Sequence, residues 1–123
     1  MKLHLQRPGA SNQITGYENG QIRINETLYL GGTIVAADLL INPWGPESIA
    51  GLDIADLDAV RHYDTEILLL GTGLRQRFPD PALFKALRQI FPGMEIMDTP
   101  AACRTYNILM GEERRVVAAL LPG

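Results

Sequence analysis

The sequence predicts an α/β domain in which helices pack on a mixed central sheet and an antiparallel β flap is attached. Three observations support this prediction. The first third of the chain alternates apolar and polar residues between turn signals, which is typical of antiparallel strands. A continuous apolar run at 66–70 predicts a strand that is buried on both faces. The second half alternates strand and helix patterns, as a parallel sheet requires.

The N-terminal third is predicted to be mostly antiparallel β structure. A short strand over Lys2–Gln6 comes first. Asn19-Gly20 then lies between two strand-like runs, and both residues accept the positive φ of a type I′ turn, so a hairpin is expected there. Another strand is predicted over Thr27–Leu30. An apolar, β-branched stretch over Thr33–Ile41 follows, and Asp38 interrupts it.

The rest of the chain is predicted to alternate helices with strands. Asp53 can cap a short helix. Asp80-Pro81 places an N-cap before a proline at the first helical position, and Pro92-Gly93 ends that helix. Thr99-Pro100 repeats this pattern for a last helix from Ala101 to about Met110, which Gly111 closes. The predicted strands of this half are the run at 66–70, Met94–Met97 and Arg115–Leu121.

The two strands joined by the Asp80 helix are expected to run parallel, because such crossovers are almost always right-handed and parallel. Their carboxyl ends then meet at one edge of the sheet, where ligands bind in open α/β folds. Main-chain amides of the glycine turn and of the last helix, with Arg75 and Arg104 as counter-charges, would suit a carboxylate or phosphate. The same glycines also suit a tight turn with no ligand. The candidate crevice residues are Gly71, Thr72, Gly73, Arg75, Thr99, Cys103, Arg104, Tyr106 and Asn107.

No complete catalytic, cofactor or metal motif is found in the sequence. The glycine turn lacks the third glycine of the dinucleotide fingerprint, so no nucleotide cofactor is expected. Cys103 lies near the start of the last helix, where the dipole can lower a thiol pKa. Neither His4 nor His62 has a sequence relation to it. Two distant histidines and one cysteine also match no metal-ligand spacing. We therefore predict no catalytic residue, no cofactor and no metal.

Length and composition restrict the organisation of the protein and its partners. The 123 residues fit a single domain, 1–123, in which 1–13 form the N-terminal strand and a linker. A net charge of −3 argues against nucleic acid as a partner. No apolar run approaches the length of a membrane span or of a signal peptide. A single cysteine agrees with a reducing compartment, so a cytoplasmic location is expected.

Four motifs of the second half resemble the Mth-type, DUF498-like domain family of unknown function. They are Glu66–Gly73, Glu95–Thr99, Ala101–Asn107 and Arg115–Ala119, and the resemblance covers about residues 14–121. It implies a three-layer α/β fold with a mixed central sheet, and no established enzymatic activity. The family includes the mitochondrial complex I assembly factor three and an adipogenesis-associated protein, which implies protein partners. Gly31-Gly32-Thr33, with the nearby aspartate, departs from the more apolar family pattern.

Three functional hypotheses follow from these observations. The leading one is a non-enzymatic protein-interaction or assembly-factor-like module with a protein partner. The alternative is a small-molecule enzyme or sensor that binds an anionic ligand in the crevice between Gly71-Thr72-Gly73 and the helix starting at Thr99. The third is a purely structural oligomer.

Overall fold

The computed structural model describes residues 2–4 and 11–122. The strands are β1 (Lys2–His4), β2 (Ile14–Glu18), β3 (Gln21–Ile24), β4 (Thr27–Leu30), β5 (Thr33–Ala36), β6 (Leu39–Asn42), β7 (Ile67–Gly71), β8 (Met94–Met97) and β9 (Val116–Leu120). The helices are α1 (Pro81–Ile90), α2 (Thr99–Gly111) and two short 3-10 helices at Ile49–Gly51 and Ile54–Val60. The end of the predicted first strand and part of the predicted linker lie outside the described residues.

The larger sheet is mixed, as predicted, and has the strand order β1-β6-β5-β9-β7-β8. Strands β7 and β8 are parallel, with Leu68 opposite Met94 and Gly71 opposite Met97, which confirms the predicted crossover. Strand β9 inserts between the two halves of the sheet. It runs parallel to β7 and antiparallel to β5. The carboxyl ends of β7 and β8 therefore meet at one edge, which is where the sequence predicted the crevice.

The smaller sheet has the order β2-β3-β4 and forms the predicted antiparallel flap. Glu18 pairs with Gln21, and the two residues between them, Asn19 and Gly20, have φ of 51° and 76°. Positive φ at both positions is what a type I′ turn requires, so the predicted hairpin is confirmed. The inner face of the flap buries Ile22 and Ile24 against the main body.

The apolar stretch over Thr33–Ile41 folds differently from a single interrupted strand. It forms two antiparallel strands, β5 and β6, with Ala36 paired to Leu39 across a two-residue turn. Asp38 lies in that turn, where a short polar residue is favoured. Both strands lie inside the larger sheet, so both are apolar. The apolar pattern of the sequence therefore does not show where the chain reverses direction between them.

The larger sheet is covered on both faces, as the apolar run at 66–70 predicted. Leu68 and Leu70 pack in the cluster that contains α1 and the 3-10 helices. Leu69 points the other way, into the cluster that contains α2 and the flap. Because each such side chain contributes roughly 1.5–3 kcal/mol when fully buried, this strand is a main source of stability. The result is a three-layer α/β fold.

Asp53 and Asp80 cap the helical segments at which the sequence predicted them as caps. The Asp53 carboxylate accepts from the N–H of Ile54 at 2.7 Å, and the Asp53 N–H donates to Asp56 at 2.8 Å. The segment capped in this way is a 3-10 helix. Asp80 caps α1 by accepting from the N–H of Ala82 at 3.2 Å. These contacts satisfy main-chain donors that a helix leaves unpaired at its start.

The end of α2 differs from the prediction that Gly111 closes it. Gly111 is the last residue of the helix, and Glu113 adopts the left-handed conformation with φ of 61°. The N–H of Arg114 donates to the carbonyl of Leu109 at 3.0 Å, and the N–H of Glu113 to that of Met110 at 3.0 Å. This is the Schellman arrangement, here with glutamate in place of the usual glycine.

Candidate functional site

The glycine turn after β7 packs directly against the start of α2. A Cβ atom on Gly71 would lie 2.9 Å from the Thr99 Oγ1 atom and 3.0 Å from a methyl carbon of Leu120. Gly73 has φ of 102°, which favours glycine at that position. Close approach and turning therefore account for both glycines of this turn.

The hydroxyl of Thr99 joins three segments of the chain. It accepts from the N–H of Gly73 at 2.8 Å and donates to the carbonyl of Leu121 at 2.7 Å. The N–H of Thr99 donates back to the carbonyl of Gly73 at 2.7 Å. The side chain is fully buried. Thr99 thus connects the β7 turn, the start of α2 and the end of β9.

Asp98, and not Thr99, is the N-cap of α2. Its carboxylate accepts from the N–H of Ala101 at 2.8 Å, and its carbonyl accepts from the N–H of Ala102 at 2.9 Å. The prediction placed the cap one residue too late, because threonine is also a good capping residue. The Thr99 hydroxyl does not cap the helix, because it is hydrogen-bonded to Gly73 and Leu121 instead.

The main-chain donors predicted to hold an anion all have partners within the protein. The amides of Thr99, Ala101 and Ala102 are bonded as described above, and the second residue of the helix is a proline, which has no N–H. In the glycine turn, the N–H of Thr72 donates to the carbonyl of Met97 at 2.9 Å. An anion at this edge would therefore rely on side chains, chiefly those of the exposed Arg75 and Arg104.

Cys103 is buried against the flap side of the sheet. Burial raises the pKa of its thiol to about 12, although the charge of Arg104 acts to lower it. The helix position had suggested a lowered pKa, but loss of hydration dominates over the dipole here. The thiol stays protonated at neutral pH, and a protonated thiol is a poor nucleophile.

Tyr106 and Asn107 attach the segment before the flap to α2. The buried hydroxyl of Tyr106 donates to the carbonyl of Asn12 at 2.9 Å. The Asn107 side chain accepts from the N–H of Ile14 at 3.0 Å and donates from its amide nitrogen to the carbonyl of the same residue. Asn107 thereby imitates a neighbouring strand along β2. Both side chains act as structural contacts that span more than 90 positions of the sequence.

Seven of the nine predicted residues lie in two places in the structure, and the buried Tyr106 and the exposed Arg75 belong to neither. Gly71, Thr72, Gly73 and Thr99 form the packed junction described above. Cys103, Arg104 and Asn107 line a groove between α2 and β2, with a volume of about 280 Å³. Its other lining residues are Ile14, Thr15, Gly16, Tyr17 and Pro100. Arg75 lies on the loop that follows the glycine turn.

A larger cleft lies beside the opposite, amino-terminal ends of β7 and β9. It has a volume of about 570 Å³ and contains several charged groups. Tyr63 donates a short hydrogen bond to Asp38, and its pKa is raised by burial and then by that carboxylate. Arg115 pairs with Asp64 at 3.2 Å. This cleft was not predicted from the sequence, in which the only sign of it is the interruption of an apolar run by Asp38.

The loop after the glycine turn exposes two large apolar side chains that the sequence analysis also missed. Leu74 is 66% exposed and Phe78 is 63% exposed. They flank Arg75-Gln76-Arg77, so two basic residues lie between the two apolar ones. Apolar and basic residues placed together between a buried strand and a helix N-cap are the sequence feature that could have indicated this exposed loop.

The Thr72 hydroxyl fixes the course of this loop. It donates to the carbonyl of Arg75 at 2.6 Å and accepts from the N–H of Arg77 at 3.0 Å. The Gln76 side chain donates to the carbonyl of Ile96 at 3.0 Å, which attaches the loop to the edge strand β8. The loop is therefore held in a defined shape that presents its apolar side chains to solvent.

Among the residues that the structure describes, no helix combines the length and the apolar character needed to cross a membrane.

Comparisons with known proteins identify relatives of this chain. A family model described as protein of unknown function (DUF498/DUF598) matches residues 14–121. The chain is 30% identical over 117 residues to the Xenopus tropicalis protein named NADH dehydrogenase [ubiquinone] 1 alpha subcomplex assembly factor 3; this match covers 85% of the chain and 64% of that protein.

Two solved bacterial structures are similar to the chain over most of its length. The NMR structure of a Xanthomonas campestris protein has a TM-score of 0.80 and 34% identity, and the match covers 96% of this chain and 89% of that one. A Bordetella pertussis protein described as a Mth938-like domain has a TM-score of 0.67 and 34% identity, over 99% and 92% of the two chains. The predicted Mth-type fold is therefore confirmed.

Proposed function

The chain belongs to the DUF498/DUF598 family of proteins of unknown function, and from this membership we propose that it is a non-enzymatic protein-interaction module of the assembly-factor type. The support from relatives is the assembly factor named above, of whose length this chain spans 64%. A module of this kind would bind a partner protein while a larger complex forms. We also propose a cytoplasmic location and no nucleic-acid partner, in keeping with a net charge of −3 and a single cysteine.

The observation that carries the proposal is the exposed apolar pair on the loop after β7. Leu74 and Phe78 project from a backbone that Thr72 and Gln76 hold in place. Aromatic and arginine side chains are enriched at the cores of protein interfaces. A loop that is ordered before binding also loses less conformational entropy on binding, which favours affinity.

The alternative proposal is an anion-binding enzyme or sensor that uses the predicted crevice. Arg75 and Arg104 support it, because both side chains are exposed and neither forms an ion pair among the described residues. It has less support than the interaction module, because the amides of the α2 start are bonded within the protein. Melting temperatures with phosphate, nucleotides and organic acids test it. An increase that Arg104→Ala abolishes would favour this alternative.

The interaction module is tested by affinity purification of the tagged full chain from its own cells after mild cross-linking. We expect the same protein to be recovered in replicate purifications, above a control with the tag alone. The phenylalanine variant Phe78→Ser should recover less of it, while Leu30→Ser, a change at a similarly exposed position, should recover as much as the wild type. Absence of any enriched protein, together with turnover of a metabolite by the purified chain, would contradict the proposal.

A further inference from the structure

The loop after β7 and the neighbouring helix α1 carry exposed apolar side chains together with arginines. We call this group the apolar–basic surface and define it by six residues from the loop after β7 and from helix α1. They are Leu74, Arg75, Arg77, Phe78, Phe84 and Arg88. Single exposed apolar residues are normal on protein surfaces, but a group of them with shared chemistry marks interaction sites.

Ring contacts make this surface continuous from the loop to the helix. The rings of Phe78 and Phe84 are 6.1 Å apart between centroids and meet edge to face at 83°. The guanidinium carbon of Arg88 lies 5.5 Å from the centroid of the Phe84 ring. These contacts join positions on separate elements into one patch.

The arginines of this surface have no carboxylate partner within the described part of the chain. The ion pairs among residues 11–122 are Glu66 with Arg114 and Asp64 with Arg115. The nearest acidic residue in the sequence, Asp80, uses its carboxylate to cap α1. These arginines therefore form no ion pair within residues 11–122, on a chain whose net charge is −3. Charge complementarity therefore favours an acidic partner over a basic or uncharged one.

We propose that the apolar–basic surface binds an acidic segment of the partner protein, which places an apolar side chain against Phe78 and carboxylates against Arg75 and Arg77. The inference rests on the proposed function as an interaction module. The cations that flank the exposed ring are arginines, and the planar guanidinium matches a carboxylate with two parallel hydrogen bonds. The exposed apolar area of this surface consists of only two side chains, Leu74 and Phe78, on an ordered loop. So small an area suits contact with a protein segment better than insertion into a lipid surface, which needs a larger apolar face.

The experiment places a photo-activatable cross-linking amino acid at position 78 of the full chain in its own cells. The matched control carries it at position 30, because Leu30 is 64% exposed and Phe78 is 63% exposed. We expect position 78 to cross-link to one protein and position 30 not to. Mass spectrometry should place the cross-link in a segment with a negative net charge and at least one large apolar residue.

Affinity measurements with a synthetic peptide of the cross-linked segment then test the chemistry. We expect Phe78→Ser and the double change Arg75→Glu with Arg77→Glu each to weaken binding at least about tenfold, as for interface hot spots. Leu30→Ser should leave the affinity unchanged. Raising the salt concentration should weaken binding to the wild type. A peptide with its acidic residues changed to lysine should recover binding to the double glutamate variant. Circular dichroism melts confirm that each variant is folded.

The remaining outcomes distinguish a failure of this inference from a failure of the proposed function. Cross-links from position 78 to lipid, to a second copy of this chain or to a segment without net negative charge would overturn the inference. Cross-links to a partner from position 30 alone would also overturn it, while the proposed interaction function would stand. Binding of the wild type to phosphatidylglycerol vesicles, lost in Phe78→Ser, would assign the surface to a membrane instead. Absence of protein cross-links from both positions and from a wider scan of the surface would reject both proposals.

Discussion

Replacing Thr99 by valine tests whether its hydroxyl holds the carboxyl edge of the sheet together. Valine keeps the shape of the side chain but can neither accept from the N–H of Gly73 nor donate to the carbonyl of Leu121. Each lost hydrogen bond contributes about 1 kcal/mol, and a buried N–H without a partner costs about 1–3 kcal/mol. We therefore expect Thr99→Val to lower the free energy of unfolding by roughly 2–4 kcal/mol.

The measurement is urea unfolding followed by fluorescence of Trp44, the single tryptophan, which is buried. The melting temperature should fall by roughly 8–16 °C, at about 4 °C per kcal/mol for a chain of this size. Thr99→Ser, which keeps the hydroxyl, should lose less stability than the valine variant. Thr27→Val changes an exposed threonine and should stay within about 0.5 kcal/mol of the wild type. Equal losses for the serine and valine variants would refute the role of the hydroxyl.

Three further predictions concern stability. Gly71→Ala should lower the free energy of unfolding by roughly 1–3 kcal/mol, because the new methyl group overlaps Thr99. The control is Gly16→Ala, whose new methyl group would lie 3.7 Å from its nearest neighbour. Equal effects of the two changes in urea titrations would contradict the packing argument. Glu113→Gly should stabilise the protein by about 0.5–1 kcal/mol, because glycine adopts the left-handed conformation without strain, and an unchanged melting temperature would contradict this. The pKa of the buried thiol of Cys103 is raised to about 12 in the folded state. The stability that the protonated thiol contributes to the folded state is therefore fully present below the ordinary thiol pKa of about 8.5. It is lost as the pH rises toward 12. Unfolding free energies between pH 8 and 10 should fall more steeply for the wild type than for Cys103→Ala, and parallel curves would be evidence against a buried thiol.

Much of the fold follows from patterns that are local in the sequence. Asn19-Gly20 specifies a type I′ turn because its two residues tolerate positive φ, and no distant contact is needed for that choice. The apolar run at 66–70 specifies a strand covered on both faces. Asp80-Pro81 starts α1 through a side-chain cap and a preset φ.

The candidate site was less predictable, because its hydrogen bonds join residues far apart in the chain. Asp98 and Thr99 are both good capping residues, and the sequence does not distinguish them. Contacts to Gly73 and Leu121, 26 and 22 positions away, direct the threonine hydroxyl elsewhere. The contact to Gly73 also uses a main-chain amide that was predicted to hold an anion.

Neighbouring residues and periodicity were enough to predict the alternation of strands and helices after residue 65, the parallel pair and the turn at Gly71-Thr72-Gly73. The packing of this turn against α2, and the exposure of Leu74 and Phe78 on the next loop, became apparent from the three-dimensional arrangement. The physical reason is that burial and hydrogen-bond pairing are properties of the folded assembly of elements. Whether an apolar side chain lies in the core or on the surface depends on which element covers it, and the local pattern does not contain that information.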